Sequence, residues 1–119
     1  MSHDMTSIVH PINLLVSDEL DRASRIHGET FASAHEGFGV IAEEVNEAGD
    51  EWESAEKGLR VLIAAIRTED TGHIIDAADY IRDRAVAGAA ELIQVAAMCE
   101  KLINTIMKDG DCCEATLPA

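Results

Sequence analysis

Aromatic side chains are scarce in this chain, with one Trp, one Tyr and two Phe among 119 residues. A β-sandwich relies on aromatic and β-branched residues to fill its pleated faces, so the composition argues against one. Basic residues are few as well: 9 Lys and Arg stand against 23 Asp and Glu, a net charge of -14. Such a field repels phosphate backbones and anionic lipid, which excludes a general nucleic-acid binder and leaves any polyanionic substrate dependent on cations. Cys99, Cys112 and Cys113 have neither metal-finger nor disulfide-framework spacing, so reduced thiols are expected. The start, MSHDMTSIVH, lacks a basic region followed by an apolar run, and no apolar stretch reaches membrane-spanning length. Neither secretion nor insertion is indicated, and a cytoplasmic location is the expectation.

What the chain does have is alanine, isoleucine, leucine and valine, within a hydrophobic fraction of 47%. This suits close-packed helices, and the length suits a single domain. Residues 1 to about 14 show no clear period and contain Pro11, which reads as an arm. The spacing predicts a first helix with Ser17 as N-cap, Asp18 and Glu19 in its first turn, and a stop near Gly28. Ser33 and Glu36 fit a capping box for a second helix, along which Phe38, Ile41, Val45, Ala48 and Trp52 form an apolar stripe. Trp52 and Phe38 therefore read as core. Gly58 is the expected stop, and Leu59 to Arg67, LRVLIAAIR, a third and buried helix with some strand ambiguity. Thr71 and Gly72 break the pattern; His73 to Lys108 then reads as one long helix or two meeting near Gly88, with residues 109–119 as tail. The expected fold is an all-α antiparallel bundle of four to five helices. Helices with several apolar faces cannot all be covered in so small a chain, so a dimer or dimer of dimers is expected.

Glu43, Glu44 and Glu47 crowd into little more than one helical turn. Like charges at such spacing cost roughly 0.2–0.5 kcal/mol per pair, which something should offset. An E-E-x-x-E by itself is more often a solvated face. The last helix changes that weighting, because Leu92, Val95, Met98, Cys99, Leu102 and Ile106 form a stripe with Glu91 at its margin, Gln94 one turn on and Arg84 two turns back. Two helices offering acids toward one groove suit Mg²⁺, which takes oxygen ligands and keeps waters that phosphates can replace.

EEVNE together with ELIQVAAM resembles the E-E-x-x-E and E-x-x-D pair of the MazG-like all-α nucleoside triphosphate pyrophosphohydrolases, and the run SAHEGFGVIAEEVNEAGDEW looks closest to their small phage and bacterial branch. The resemblance spans roughly residues 17 to 107. It implies metal ligands Glu43, Glu44, Glu47, Glu91 and Gln94, two or more Mg²⁺ or Mn²⁺ ions per site, Glu43 or Glu44 as the group that takes the proton of the attacking water, and release of pyrophosphate from a nucleoside triphosphate. A purine deoxynucleotide such as dGTP is the implied substrate, and a homodimer or homotetramer the implied assembly. Gln94 stands where the family has Asp; Asp79 and Asp83 are the alternative acids on the same helix. Asn13, His35, Arg84 and Lys101 are candidate substrate contacts, with Arg82 a further cation near the phosphates. Gly37 and Gly39 are places where a nucleotide or another helix could approach closely. The competing class is a non-enzymatic acidic helical module that binds a protein or mimics DNA charge. A di-iron carboxylate bundle lacks its Glu-x-x-His motifs here.

Overall fold

Three helices account for the regular structure of residues 5–108, the part of the chain described by the computed structural model: α1 Thr6–His27, α2 Ala34–Arg67 and α3 Thr71–Lys108, with no strand among the described residues. The all-α expectation holds, whereas the count of four to five helices does not. The tail at 109–119, with Cys112 and Cys113, lies outside the described residues.

Each boundary has a local cause. α1 ends where Gly28 takes φ +88° and its N–H donates to the Ser24 carbonyl at 2.9 Å. Its start corrects the expected arm: the helix begins at Thr6 and runs through Pro11 and Ser17. None of residues 5–15 is buried, so no packing face imposed a period on them. Glu19, read as a first-turn acid, is instead paired in mid-helix with Arg22 at 2.9 Å.

α2 opens as expected. Ser33 Oγ accepts from the Glu36 N–H at 3.1 Å, and Glu36 Oε1 accepts in return from the Ala32 N–H at 3.1 Å. Gly58 does not stop it; the helix continues to Arg67, absorbing the expected third helix. A Cβ at Gly58 would lie 2.7 Å from Ile81 Cγ1, so this glycine lets α3 approach rather than ending α2. The turn into α3 is made by Glu69 at φ +55°, with the Asp70 N–H donating to the Ala65 carbonyl and the Glu69 N–H to that of Ile66, both at 3.1 Å. This is a Schellman closure with a non-glycine residue in the left-handed position. Glu69→Gly should therefore raise stability by about 1 kcal/mol, read as a higher midpoint in urea at unchanged slope. Asp70 then caps α3, its Oδ1 accepting from the His73 N–H at 3.1 Å. α3 is continuous through Gly88.

The chain divides into two compact units. One, residues 5–42 and 93–108 of those described, has a core of Val16, Ala23, Phe31, Ala97 and Met98, with Leu20, Ile41 and Leu102 among the residues packed on it. Phe31 is anchored from both sides: its N–H donates to Thr105 Oγ1 at 2.9 Å, and Lys101 Nζ lies 4.5 Å from its ring centroid. Burying such a ring is worth roughly 1.5–3 kcal/mol. A Cβ at Gly37 would sit 2.9 Å from both Leu102 and Phe31, so the close approach here is to side chains of this unit; Gly39 has nothing within 4 Å.

The other unit, Glu43–Leu92, is an antiparallel helix hairpin: Gly58 meets Ile81, Glu51 meets Arg84 and Gly88, and Glu44 and Glu47 meet Glu91. Its buried apolar side chains are the alanines 48, 65 and 77. Two expectations fail here. Trp52 is 69% exposed instead of core, and LRVLIAAIR is largely exposed, with Ala65 its one buried residue. Phe38, in the first unit, is likewise exposed. A two-helix hairpin has only one inner face, so stripes on its outer faces stay open however apolar they are.

Candidate metal centre

The hairpin puts the acids together through its register. Glu44 and Glu47 are three residues apart on α2, hence neighbours on one face, and the antiparallel return of α3 brings Glu91 opposite them. One carboxyl oxygen from each of Glu44, Glu47 and Glu91 falls within 4.8 Å of the other two. Glu47 is exposed, while Glu44 and Glu91 are half-buried. Glu44 Oε2 and Glu91 Oε2 are themselves fully buried, and no hydrogen-bond donor among the described residues reaches either. Buried carboxylate oxygens without a donor are costly, so the convergence of these acids is a point of electrostatic stress in the hairpin.

Proton affinities respond accordingly. Burial, followed by a hydrogen bond shared with Glu91 and the charges of Glu47, Glu91 and Glu43, pushes the Glu44 carboxyl up to about 7. Glu47 is also raised, first by its hydrogen bond to Glu91 and then by that residue's charge. Such carboxyl–carboxyl bonds exist only while one partner holds a proton. With all three ionised, the oxygens face one another with no donor between them.

The donor set fits a hard divalent cation. Two oxygens on one Mg²⁺, each at about 2.1 Å, are about 4.2 Å apart when trans and about 3.0 Å when cis, so glutamate rotamers would draw the three oxygens together by up to about 2 Å. The two donor-less oxygens are the positive sign of fit, since a cation satisfies what no protein group does.

Other expected residues fall elsewhere. Glu43 is exposed and outside the convergent group. Gln94 is half-buried, one helical turn past Glu91 along α3. Asp79 and Asp83 do not join the cluster; both pair with Arg82 on the exposed side of α3. Arg84 is committed to Glu51, its Nη1 donating to both carboxylate oxygens at 2.9 and 3.2 Å, while its Nε is buried without a partner. Lys101, a candidate substrate contact, is 4% exposed and lies beside Phe31 in the first unit. Asn13 on α1 and His35 in the first turn of α2 are exposed and also belong to that unit. Glu51 escaped the sequence reading although a signal was present: Glu44, Glu47 and Glu51 follow i, i+3, i+7 and so share a face.

Comparison with known proteins finds no matching family model, no similar curated protein and no similar solved structure.

Proposed function

We propose that this chain is a metal-dependent nucleoside triphosphate pyrophosphohydrolase of MazG-like type, acting on a purine deoxynucleotide such as dGTP, and that it works as a homodimer or homotetramer. The observation that carries the reading is the convergence of Glu44, Glu47 and Glu91 from two helices, with two buried oxygens that lack donors. A solvated acidic face would spread its carboxylates outward and bury none of them.

Glu44, Glu47 and Glu91 hold the cation in this reading. A bound Mg²⁺ or Mn²⁺ supplies charge neutralisation at the triphosphate and a water acidified toward neutrality. Of the two residues read as proton acceptor, Glu44 is the better placed, because it belongs to the convergent group and Glu43 does not. The half-buried setting of Glu44 and Glu91 limits water around the charged groups, which strengthens every interaction there. Arg84 is tied up by Glu51, so this reading gives it the role of fixing the groove wall beside the cluster rather than gripping phosphate.

The test is a panel of deoxy- and ribonucleoside triphosphates with Mg²⁺, following pyrophosphate release. Pyrophosphate and monophosphate in equal amounts from at least one purine nucleotide are expected. Inactivity across the panel, together with no divalent-cation binding by calorimetry, would leave the acidic interaction module as the better reading.

A further inference from the structure

We infer that the cavity between α2 and α3 beside the acids receives the nucleobase, with Glu51 and Arg84 reading the edge of a guanine and Trp52 covering its ring. This rests on the nucleotide reading above and adds to it the residues that choose the base.

The cavity continues the faces on which the acids stand. Along α2, Glu44, Ala48, Glu51 and Ala55 follow i, i+4, i+7 and i+11; along α3, Glu91, Gly88, Arg84 and Ile81 follow i, i−3, i−7 and i−10. Each series keeps to one side of its helix, so the groove with the carboxylates at one end continues into the cavity of about 480 Å³ lined by Ala48, Ala55 and Gly88. That volume falls among those of small-molecule sites, roughly 300–1,000 Å³. Along the helix axes, Glu51 lies about 6 Å from Glu47 and Arg84 about 10 Å from Glu91. A cation on the acids fixes the phosphates, and a nucleoside extending from them along the groove brings its base to Glu51 and Arg84.

Polar groups in the cavity are few and specific. Its wall is apolar apart from Glu51, Arg84 and the exposed Glu56. Arg84 is held in place, with Nη1 donating to both Glu51 oxygens and Cζ 5.8 Å from the Tyr80 ring centroid. The other edge of the guanidinium is unused: Nε and Nη2 have no acceptor among the described residues, and Nε is buried. A buried N–H without an acceptor is costly, and a turn of the guanidinium into the cavity would present this two-donor edge to a ligand. Guanine answers it with O6 and N7, while its N1–H and 2-amino group are donors for the Glu51 carboxylate. Adenine has an amino donor where guanine has O6, and pyrimidines have no N7. Hypoxanthine matches guanine except for the 2-amino group. Trp52 and Leu92, 69% and 59% exposed, flank the cavity, and an indole in that position offers a stacking surface to the base.

Trp52 is the only tryptophan, so its fluorescence reports on this cavity. The full chain with Mg²⁺ is titrated with the deoxynucleoside monophosphates of guanine, hypoxanthine, adenine and cytosine. Quenching by the guanine nucleotide should occur at a concentration about 10-fold lower than by the hypoxanthine one, the difference expected of one hydrogen bond to a charged group, and the other two should bind more weakly still. Glu51→Ala should bring the guanine-to-hypoxanthine ratio to about 1, with circular dichroism checking that the helices persist; the wild-type titrations decide the matter even if that variant unfolds. Equal quenching by all four bases, or none, overturns the inference. Emission that ignores every nucleotide but shifts on dilution as the sedimenting mass falls also overturns it, by giving the face to a second copy of the chain. Guanine-selective quenching without pyrophosphate release from dGTP would sink the enzymatic reading and leave the base site standing. Hydrolysis at equal rates for every base, without quenching, would do the reverse.

Discussion

Glu91→Gln should abolish tight divalent-cation binding and, in the metal-free protein, raise stability. The two effects have one cause. Glu91 Oε2 is buried without a donor and faces Glu44 and Glu47 across the hairpin, so its charge is repelled unless a cation or a proton intervenes. An amide keeps the volume, removes the charge and brings an NH₂ that can donate to either neighbouring carboxylate. Relief of the repulsion should be worth on the order of 1 kcal/mol, seen as a higher urea midpoint without metal. Losing a direct ligand should cost at least as much as losing a group that merely supports one, so affinity for Mg²⁺ or Mn²⁺ should fall about 100-fold or more by calorimetry. Hydrolysis would fall with it. Glu43→Gln is the control: that residue lies outside the convergent group, and its substitution should change stability and cation affinity far less. If Glu91→Gln instead destabilised the metal-free protein and left cation binding intact, the cluster would be an ordinary surface network.

The stability of the metal-free protein should fall as pH rises from about 5 to 8. Glu44 has a folded-state value of about 7 against 4.5 for the free side chain. Between those values the folded chain binds more protons than the unfolded one, so the unfolding free energy decreases with pH. The contribution is complete below about 4.5 and is lost as pH passes 7. Solvent access to the site screens the interaction, which leaves on the order of 1 kcal/mol across the window. Groups held below their ordinary range have the opposite sign and a different window: Asp70, stabilised by the His73 N–H, loses its contribution only on acidification below its usual 3.8. Saturating Mg²⁺ should flatten the slope between pH 5 and 8, because the cation replaces the proton and expels it. Thermal unfolding at several pH values, with and without metal, measures both slopes; a metal-independent slope would count against Glu44 as a ligand.

Capping was the most legible feature of the sequence. Ser33 with Glu36, and glycine at 28, act within a few residues, and the structure uses both as read. The pairing of Glu91 with the EEVNE run was legible for a different reason: both sit at the margins of apolar stripes, and stripes indicate which edges face a neighbour. Ser17 misled because a cap signal is local, whereas Thr6–His27 continues through it as one helix. Gly58 misled because the letter G is the same whether it ends a helix or admits a neighbouring one; only the 2.7 Å approach of Ile81 tells them apart. Trp52 and LRVLIAAIR read as core because apolar spacing marks a face that can pack, whereas a two-helix hairpin has only one inner face to cover.

That glycine also works as an index stop. The contact between Gly58 and Ile81 lies 11 residues from Glu47 along α2 and 10 residues from Glu91 along α3, about 16 Å from the acids. Sliding one helix past the other by a single turn would move Glu91 by about 5.4 Å, more than the 4.8 Å span within which the three carboxylates meet. A missing methyl group, about 16 Å away, thus sets the register of the acidic cluster, and lengthening either arm of the hairpin by one residue would put the acids out of step.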